Sequence, residues 1–173
     1  MAFNGTLGTI TNNTLLVANM PTGSVIQVVT TSYTGGRINS ANSGAPSSTN
    51  GSQIFSQAFT PKSASSRIIV QTSTVSIYES SNDQNWFWLG AWYDTTQIGC
   101  CIATVDYNLW QGSRNAGYYS LNHSCASWGT SAKNINVRAG GQSGGNVWVN
   151  GSADSYNMSA DNARISLIII EVK

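Results

Sequence analysis

The last ten residues, 164–173, are the most apolar stretch of the chain and constrain its fold most strongly. They are rich in β-branched residues and contain neither Gly nor Pro, which favours a β-strand over a helix. Because side chains alternate across a strand, one face carries Ile165, Leu167 and Ile169, and the other carries Ile168, Ile170 and Val172. A sandwich strand needs only one apolar face. We therefore predict that a further layer of the chain, or another copy of the protein, covers the second face.

The composition of the chain indicates an all-β domain. Charged residues make up only 9% of the 173 residues and the net charge is +1, so the sequence offers no footprint for nucleic acid. Ser, Thr, Asn and 17 Gly supply polarity and turns, while six Trp and seven Tyr supply apolar surface for a core. No stretch approaches the roughly 20 apolar residues of a membrane span, so membrane insertion is not expected.

Strand-like segments recur at near-regular spacing, with no credible helix between them. About nine such segments predict a two-sheet antiparallel jelly-roll sandwich. The predicted strands are 25–29, 53–60, 67–78, 86–93, 97–105, 118–127, 133–139, 147–151 and 164–173. The segment 86–93 is the richest in aromatic residues, with Trp86, Trp88 and Trp92 on one face. Residues 35–52 are rich in Gly, Ser and Asn and predict a long surface loop.

The first 21 residues predict an N-terminal arm, and residues 22–173 predict the sandwich domain. The arm is polar except for Leu15, Leu16 and Val17. Pro21 then breaks the chain where the domain begins. The arm is either a frayed terminus or a segment that packs on a neighbour, and its apolar patch favours the second interpretation. We therefore expect Leu15, Leu16 and Val17 to attach the protein to its assembly.

The residues that carry chemistry are few and poorly matched. His123 is the only histidine, and no nucleophile motif surrounds it. Cys100, Cys101 and Cys125 are residue types that suit zinc. However, adjacent strand residues point to opposite faces, so the first two cannot readily share one ion. The sequence therefore predicts structural His and Cys side chains, with no catalytic residue, metal or cofactor.

Aromatic residues in loops and at strand ends raise one binding hypothesis. Aromatic rings can stack on sugar faces, but they also supply large buried area to cores and interfaces. The candidate glycan contacts are Tyr107, Trp110, Tyr118, Trp128 and Tyr156. Both interpretations stay open from the sequence.

Four segments carry a resemblance to a known class of protein. Residues 23–29, 66–70, 145–151 and 165–171 resemble small β-sandwich modules of tailed-bacteriophage virion proteins, found in phages of marine and freshwater bacteria such as cyanophages. These modules occur as capsid decorations and as tail-fibre heads. The resemblance covers about residues 22–173 and implies a homotrimeric jelly roll with a non-enzymatic virion role. It transfers no catalytic residue.

The resemblance and the apolar patterns together give a functional expectation. No fibre shaft precedes the module in this sequence, which favours a capsid decoration (cement) protein over the alternative, a tail-fibre head that recognises a host-surface glycan. We expect a homotrimer formed around Ile168, Ile170 and Val172, bound to phage capsid or tail proteins. The first residues lack a signal peptide, so synthesis in the bacterial host cytoplasm and residence in the virion are expected.

Overall fold

The computed structural model describes residues 17–33, 38–40, 44–79, 86–104, 116–141, 147–149 and 164–173. They form antiparallel β-structure and one short 3-10 turn, Val17–Asn19. The strands are β1 Val25–Tyr33, β2 Ile38–Ser40, β3 Ser52–Phe59, β4 Arg67–Thr72, β5 Val75–Glu79, β6 Trp86–Tyr93, β7 Thr96–Thr104, β8 Ala116–Tyr119, β9 Asn122–Ala126, β10 Lys133–Gly141, β11 Val147–Val149 and β12 Ile165–Val172. Among the described residues, no helix is long and apolar enough to cross a membrane.

The strands form three four-stranded sheets, of which two make the sandwich. Sheet A has the order β1-β12-β4-β9 and sheet C has the order β3-β10-β6-β7. Their inner faces share one apolar core, in which Leu167 and Val70 of sheet A and Phe59, Leu89 and Val137 of sheet C are all buried. The two-sheet antiparallel sandwich expected from the strand pattern is therefore confirmed.

The last strand, β12, has the alternating pattern expected from its sequence. It lies inside sheet A, between β1 and β4. Ile165, Leu167 and Ile169 are buried in the core, whereas the side chains of the opposite face are half-buried. The predicted division of the strand into two faces is confirmed. Its fourth inward position holds a charged residue, Glu171, which is also fully buried.

The Glu171 carboxylate is held entirely by neutral donors among the described residues. Its Oε1 accepts hydrogen bonds from Ser66 Oγ at 2.6 Å and Ser63 N at 2.9 Å. Its Oε2 accepts from Gln27 Nε2 at 2.7 Å and Lys62 N at 2.9 Å. These bonds fix the turn between β3 and β4 against β12 and satisfy a buried charge that would otherwise be costly.

Two predicted strands, 67–78 and 118–127, are each broken in the structure. The first becomes β4 and β5, and the second becomes β8 and β9. Sheet B has the order β2-β11-β5-β8. Along the chain, β2 follows β1, β11 precedes β12, β5 follows β4 and β8 precedes β9. Each strand of sheet B therefore corresponds to the strand at the same place in the order of sheet A. Sheet B thus continues sheet A beyond an interruption of the backbone hydrogen-bond ladder. The sequence pattern of residues 67–78 and 118–127 does not reveal this interruption.

Side-chain hydroxyls occupy the interruption between the two sheets. Leu121 N donates to Thr72 Oγ1 at 2.9 Å, and Ser166 N donates to Ser73 Oγ at 2.9 Å. These hydroxyls accept from backbone N–H groups that a regular ladder would pair with carbonyls. We call this level, at Thr72–Ser73 and Ser120–Leu121, the ladder break.

Part of the predicted surface loop is a packed cover over sheet C. Trp88 and Trp92 point away from the core cluster, yet only 0% and 2% of their surfaces are exposed. The Trp88 indole N–H donates to Gly44 O at 2.9 Å. A Cβ added at Gly140 or at Gly51 would lie 2.7 Å from the same indole. Glycine at these two positions therefore leaves the room that the ring fills.

Arg138 fastens this cover to the sheet. Its guanidinium donates to Asn50 O at 2.7 Å, Gly51 O at 2.8 Å and Thr49 O at 3.1 Å. Partial burial lowers the pKa of Arg138 from its usual value, because desolvation disfavours the charged form. The fork geometry of the side chain matches three carbonyls at once, which a lysine cannot do.

The described end of the predicted arm folds back along β12. Lys173 Nζ donates to Ala18 O and Met20 O, each at 2.6 Å, and Gly23 N donates to Lys173 O at 2.7 Å. Val17 lies in the 3-10 turn and is half-buried. Leu15 and Leu16 lie outside the described residues, so the attachment role of the arm and its boundary at residue 21 stay predictions.

Candidate functional site

The outer face of sheet A carries a row of aliphatic side chains, which we call the apolar stripe. The stripe comprises Val25, Val28, Ile69, Ile168, Ile170 and Val172. Strand register places Val28 and Ile69 on either side of Ile170, and Val25 beside Val172. The three residues predicted to form a trimer interface are therefore joined by three more from the neighbouring strands.

Exposure singles out this stripe from the rest of the surface. Three large apolar residues are exposed among those the structure describes: Val25 at 52%, Val28 at 53% and Ile102 at 58%. The two valines belong to the stripe, whereas Ile102 lies on β7 of the opposite sheet. Apart from the buried Glu171, the paired residues of β1, β12 and β4 include one charged residue, Arg67, which pairs with Val172.

The contribution of β1 and β4 to this surface was not predicted from the sequence. Residues 25–29 look apolar on both faces, and a bulge between Val25 and Gln27 changes which side chains point outward. The signal for Ile69 was present, because it alternates with the buried Ile68 and Val70. Only the strand order, with β12 between β1 and β4, shows that these residues form one surface.

A cleft opens at one end of the stripe, at the ladder break, and we call it the break cleft. Its volume is about 310 Å³. It is lined by Gln71, Thr72, Ser73, Ser120, Leu121, Asn122, Ser166 and Ile168. All polar lining residues are uncharged, and Ile168 belongs to both the cleft and the stripe. The cleft was not predicted, because the pattern of residues did not reveal the ladder break.

His123 packs against sheet C rather than facing an open site. It lies on β9, and a Cβ added at Gly99 of β7 would collide with its imidazole ring. The ring therefore fills the space above a glycine where the edges of the two sheets meet. No group of three or more His, Cys, Asp or Glu side chains is placed to hold a metal in the described part of the chain.

The three cysteines are half-buried free thiols. Desolvation raises the pKa of Cys100 to about 12, with a further contribution from the nearby Cys101. Burial also raises the pKa of Cys101 and of Cys125. The Cys101 thiol donates to Leu89 O at 3.5 Å. These thiols are held in the protonated form, which is a poor nucleophile and a poor metal ligand.

The structure does not assemble the predicted glycan contacts into one platform. Trp128 is half-buried, with its ring centroid 4.6 Å from Tyr93 and 6.0 Å from Phe59. Its indole N–H donates to Ser131 O at 3.0 Å. Tyr118 lies on β8, where only its backbone is described. The remaining three candidates, Tyr107, Trp110 and Tyr156, lie outside the described residues, so this set stays a prediction.

Comparison with known proteins gives distant structural matches. No family model matches the chain, and no curated protein is similar to it in sequence. Among solved structures, the chain is similar to that of the infectious bursal disease virus Gx strain, with a TM-score of 0.37 and 14% identity. This match covers 85% of the chain and 37% of the viral one.

A second match is the VP2 subviral particle of infectious bursal disease virus, with a TM-score of 0.34 and 13% identity over 84% of the chain. The chain spans 37% of the length of that viral protein as well. Matches this distant carry no argument about function.

Proposed function

We propose that the protein is a non-enzymatic structural component of a virion that assembles with copies of itself through the apolar stripe. In its specific form, the proposal is a homotrimeric capsid decoration protein of a tailed phage. The observation that carries the self-assembly is the pair of exposed valines, Val25 and Val28, beside the half-buried outer face of β12. The virion role is supported by the sequence resemblance described above.

The size of the stripe sets the expected strength of self-association. Completing the burial of one partly exposed aliphatic side chain contributes roughly 1 kcal/mol. The five side chains of the stripe other than Ile168, which also lines the break cleft, would then contribute about 5 kcal/mol per subunit before the entropic cost of association. A contribution of this size makes assembly depend on protein concentration.

The chemistry around the stripe favours another copy of the same chain as its partner. The side chains that border it in β1, β4 and β9 include Thr30, Gln71 and Ser124, which are neutral. Two such faces can meet without burying like charges, whereas a strongly charged partner would gain no matching group there. Arg67 is exposed at the end of the stripe, where its charge can stay hydrated.

The virion role is tested by where the protein lies and in how many copies. Quantitative mass spectrometry of purified virions, with immunogold labelling, measures both. A decoration protein is expected at a copy number comparable to that of the major capsid protein, with label over the head. Absence from purified virions would contradict the proposal, and label restricted to the tail in low copy would support the fibre-head alternative.

A further inference from the structure

We propose that the break cleft is a binding site for one neutral sugar unit. The proposal rests on the hydrogen-bonding groups of the cleft, its lack of charge and its size, and it is independent of self-association through the stripe. The predicted aromatic contacts play no part in it. The cleft arises from the fold itself, because sheet A and sheet B separate at the ladder break and leave polar side chains around a gap.

Two amide side chains of the cleft form a hydrogen bond with each other and keep further donors and an acceptor for a ligand. Gln71 Nε2 donates to Asn122 Oδ1 at 3.1 Å, which orients both side chains across β4 and β9. Among the described residues, Gln71 Oε1 and Asn122 Nδ2 have no protein partner. The first is an acceptor and the second carries two donors. A hydroxyl group, which both donates and accepts, matches this combination.

Hydroxyl groups complete the lining. Ser73 Oγ accepts from Ser166 N and retains its own hydrogen for donation. Ser120 is exposed at the mouth of the cleft, and its hydroxyl has no partner among the residues described. Adjacent hydroxyls of a sugar ring can therefore meet several donors and acceptors within one small space.

The absence of charge in the lining selects the class of ligand. None of the cleft residues is charged. Arg67 lies roughly 13 Å from Gln71 along β4, and the exposed Arg164 stands two positions before Ser166, roughly 7 Å away at the rise of a strand. Phosphate, carboxylate and metal ligands draw their affinity from charged partners. The cleft therefore favours a neutral polyhydroxyl compound over an ionic one.

The size and the apolar residues of the cleft limit the ligand to one unit. A volume of about 310 Å³ lies at the small end of the range of roughly 300–1,000 Å³ for ligand pockets. The half-buried Ile168 adds apolar surface, which can contact the C–H groups of a ring. An extended chain of sugars would leave the cleft after its first unit.

The position of the cleft is compatible with assembly through the stripe. Ile168 pairs with Thr30 and Gln71, whereas the exposed end of the stripe lies at Val25 and Val172. Ser120 and Asn122 belong to the β8–β9 side, at the far edge of the sheet from β1. Contact between copies over the Val25 end therefore leaves the mouth of the cleft open.

The test uses saturation-transfer difference NMR on the full chain in its assembled state. The probes are glucose, galactose, mannose and N-acetylglucosamine, with glucose 6-phosphate as an ionic comparison. At least one neutral sugar should bind, and the phosphorylated sugar should bind more weakly. No signal from any of the four neutral sugars at millimolar concentration would overturn the proposal, as would tighter binding of the phosphate ester.

Variants locate the binding. In the double variant Gln71→Ala/Asn122→Ala, affinity for the bound sugar should fall at least tenfold, whereas Asn134→Ala removes an exposed amide on sheet C and should leave it unchanged. Ser120→Trp, which places a bulky ring at the mouth, should abolish binding by obstruction. If the Gln71→Ala/Asn122→Ala and Ser120→Trp variants both bound the sugar with the affinity of the natural protein, the sugar would bind elsewhere and the assignment would be overturned.

A trisaccharide of the bound sugar separates a single-unit site from a longer groove. Because the cleft holds one unit, the trisaccharide should bind within about threefold of the monosaccharide. A gain of tenfold or more would show contacts beyond the cleft and contradict the single-unit assignment. Light scattering on each sample distinguishes a lost site from a lost assembly, so failure of the sugar site does not bear on the stripe.

Discussion

Ser66 Oγ donates a 2.6 Å hydrogen bond to Glu171 Oε1 and so joins residues 105 positions apart in the sequence. The bond ties the turn before β4 to the end of β12, inside the sandwich. Glu171 lies on the inward face of β12, with the buried Ile169 two residues before it. The end of the strand that organises sheet A is thus held by a buried charge rather than by further apolar packing.

Replacing Glu171 by glutamine should destabilise the protein. The new amide would present N–H groups to the N–H and O–H donors of the β3–β4 turn, leaving buried donors unsatisfied. We expect Glu171→Gln to lower the free energy of unfolding by about 2–4 kcal/mol, measured by urea denaturation.

Asp94→Asn is the matched control for this change. It removes a carboxylate whose side chain is 58% exposed and which pairs with Lys133 at 2.7 Å. A surface ion pair contributes less than about 1 kcal/mol. Equal stabilities for the glutamine variant and the natural protein would contradict the role assigned to Glu171.

Replacing Arg138 by lysine should loosen the cover over sheet C. Lysine keeps a positive charge but cannot donate to three carbonyls in fixed directions. We expect faster hydrogen exchange in residues 44–51 and a loss of about 1–3 kcal/mol in stability. Arg67→Lys, at an exposed position, should leave both measurements unchanged. Unaltered exchange in Arg138→Lys would contradict the role assigned to the Arg138 guanidinium in holding the cover.

Much of the fold follows from alternation, and the sequence predicts that part well. The two faces of β12 could be assigned because apolar residues repeat every second position. Glu171 is an exception to the apolar inward face of β12. Its burial could not be predicted, because the sequence of the strand does not identify the donors that bind the carboxylate. Those donors come from the β3–β4 turn, more than a hundred residues away, and from Gln27 of β1.

The candidate sites depend on features that single segments do not reveal. Ile168, Ile170 and Val172 were identified from one strand, but Val28 and Ile69 join them only through strand order and register. The break cleft was missed because Ser and Thr are common in strands, so residues 67–78 and 118–127 each looked continuous. Hydroxyl groups that replace ladder partners are visible only when the partner strands are known.

The raised thiol pKa values predict slow alkylation of the folded protein. At pH 8, a thiol with the pKa of about 12 found for Cys100 has a thiolate fraction of roughly 10⁻⁴, against about a quarter for an ordinary cysteine. Iodoacetamide should therefore modify the native protein far more slowly than the urea-unfolded one. Equal rates in both states at pH 8 would contradict the protonated, desolvated thiols.

The same shifts fix the direction of one pH dependence. Folding favours the protonated thiols, because burial raises the pKa values of Cys100, Cys101 and Cys125 above the ordinary value of about 9 for a free cysteine. Their contribution to stability is fully present below that value and is lost as pH rises from about 9 towards 12. Substituting Cys100 by serine should reduce the loss of stability measured by urea denaturation between pH 8 and pH 10.

The attachment role of the arm predicts a variant that assembles but does not bind particles. Serine at positions 15, 16 and 17 removes the apolar patch and keeps the Lys173 contacts to the carbonyls of Ala18 and Met20. Three arms in one trimer multiply weak docking, so binding to undecorated capsids should fall by at least a hundredfold. Undiminished capsid binding in a co-sedimentation assay would exclude the arm as the attachment segment.

Self-association through the apolar stripe is tested most directly by the molar mass in solution. Multi-angle light scattering over a range of concentrations should give three times the 18.4 kDa of one chain at the upper end. Ile170→Asp places a charge at the centre of the stripe and should give the mass of a single folded chain. Asn134→Asp adds the same charge on the exposed face of sheet C and should keep the trimer. A natural protein that stays monomeric at every concentration, or an Ile170→Asp variant that still forms trimers, would contradict the account.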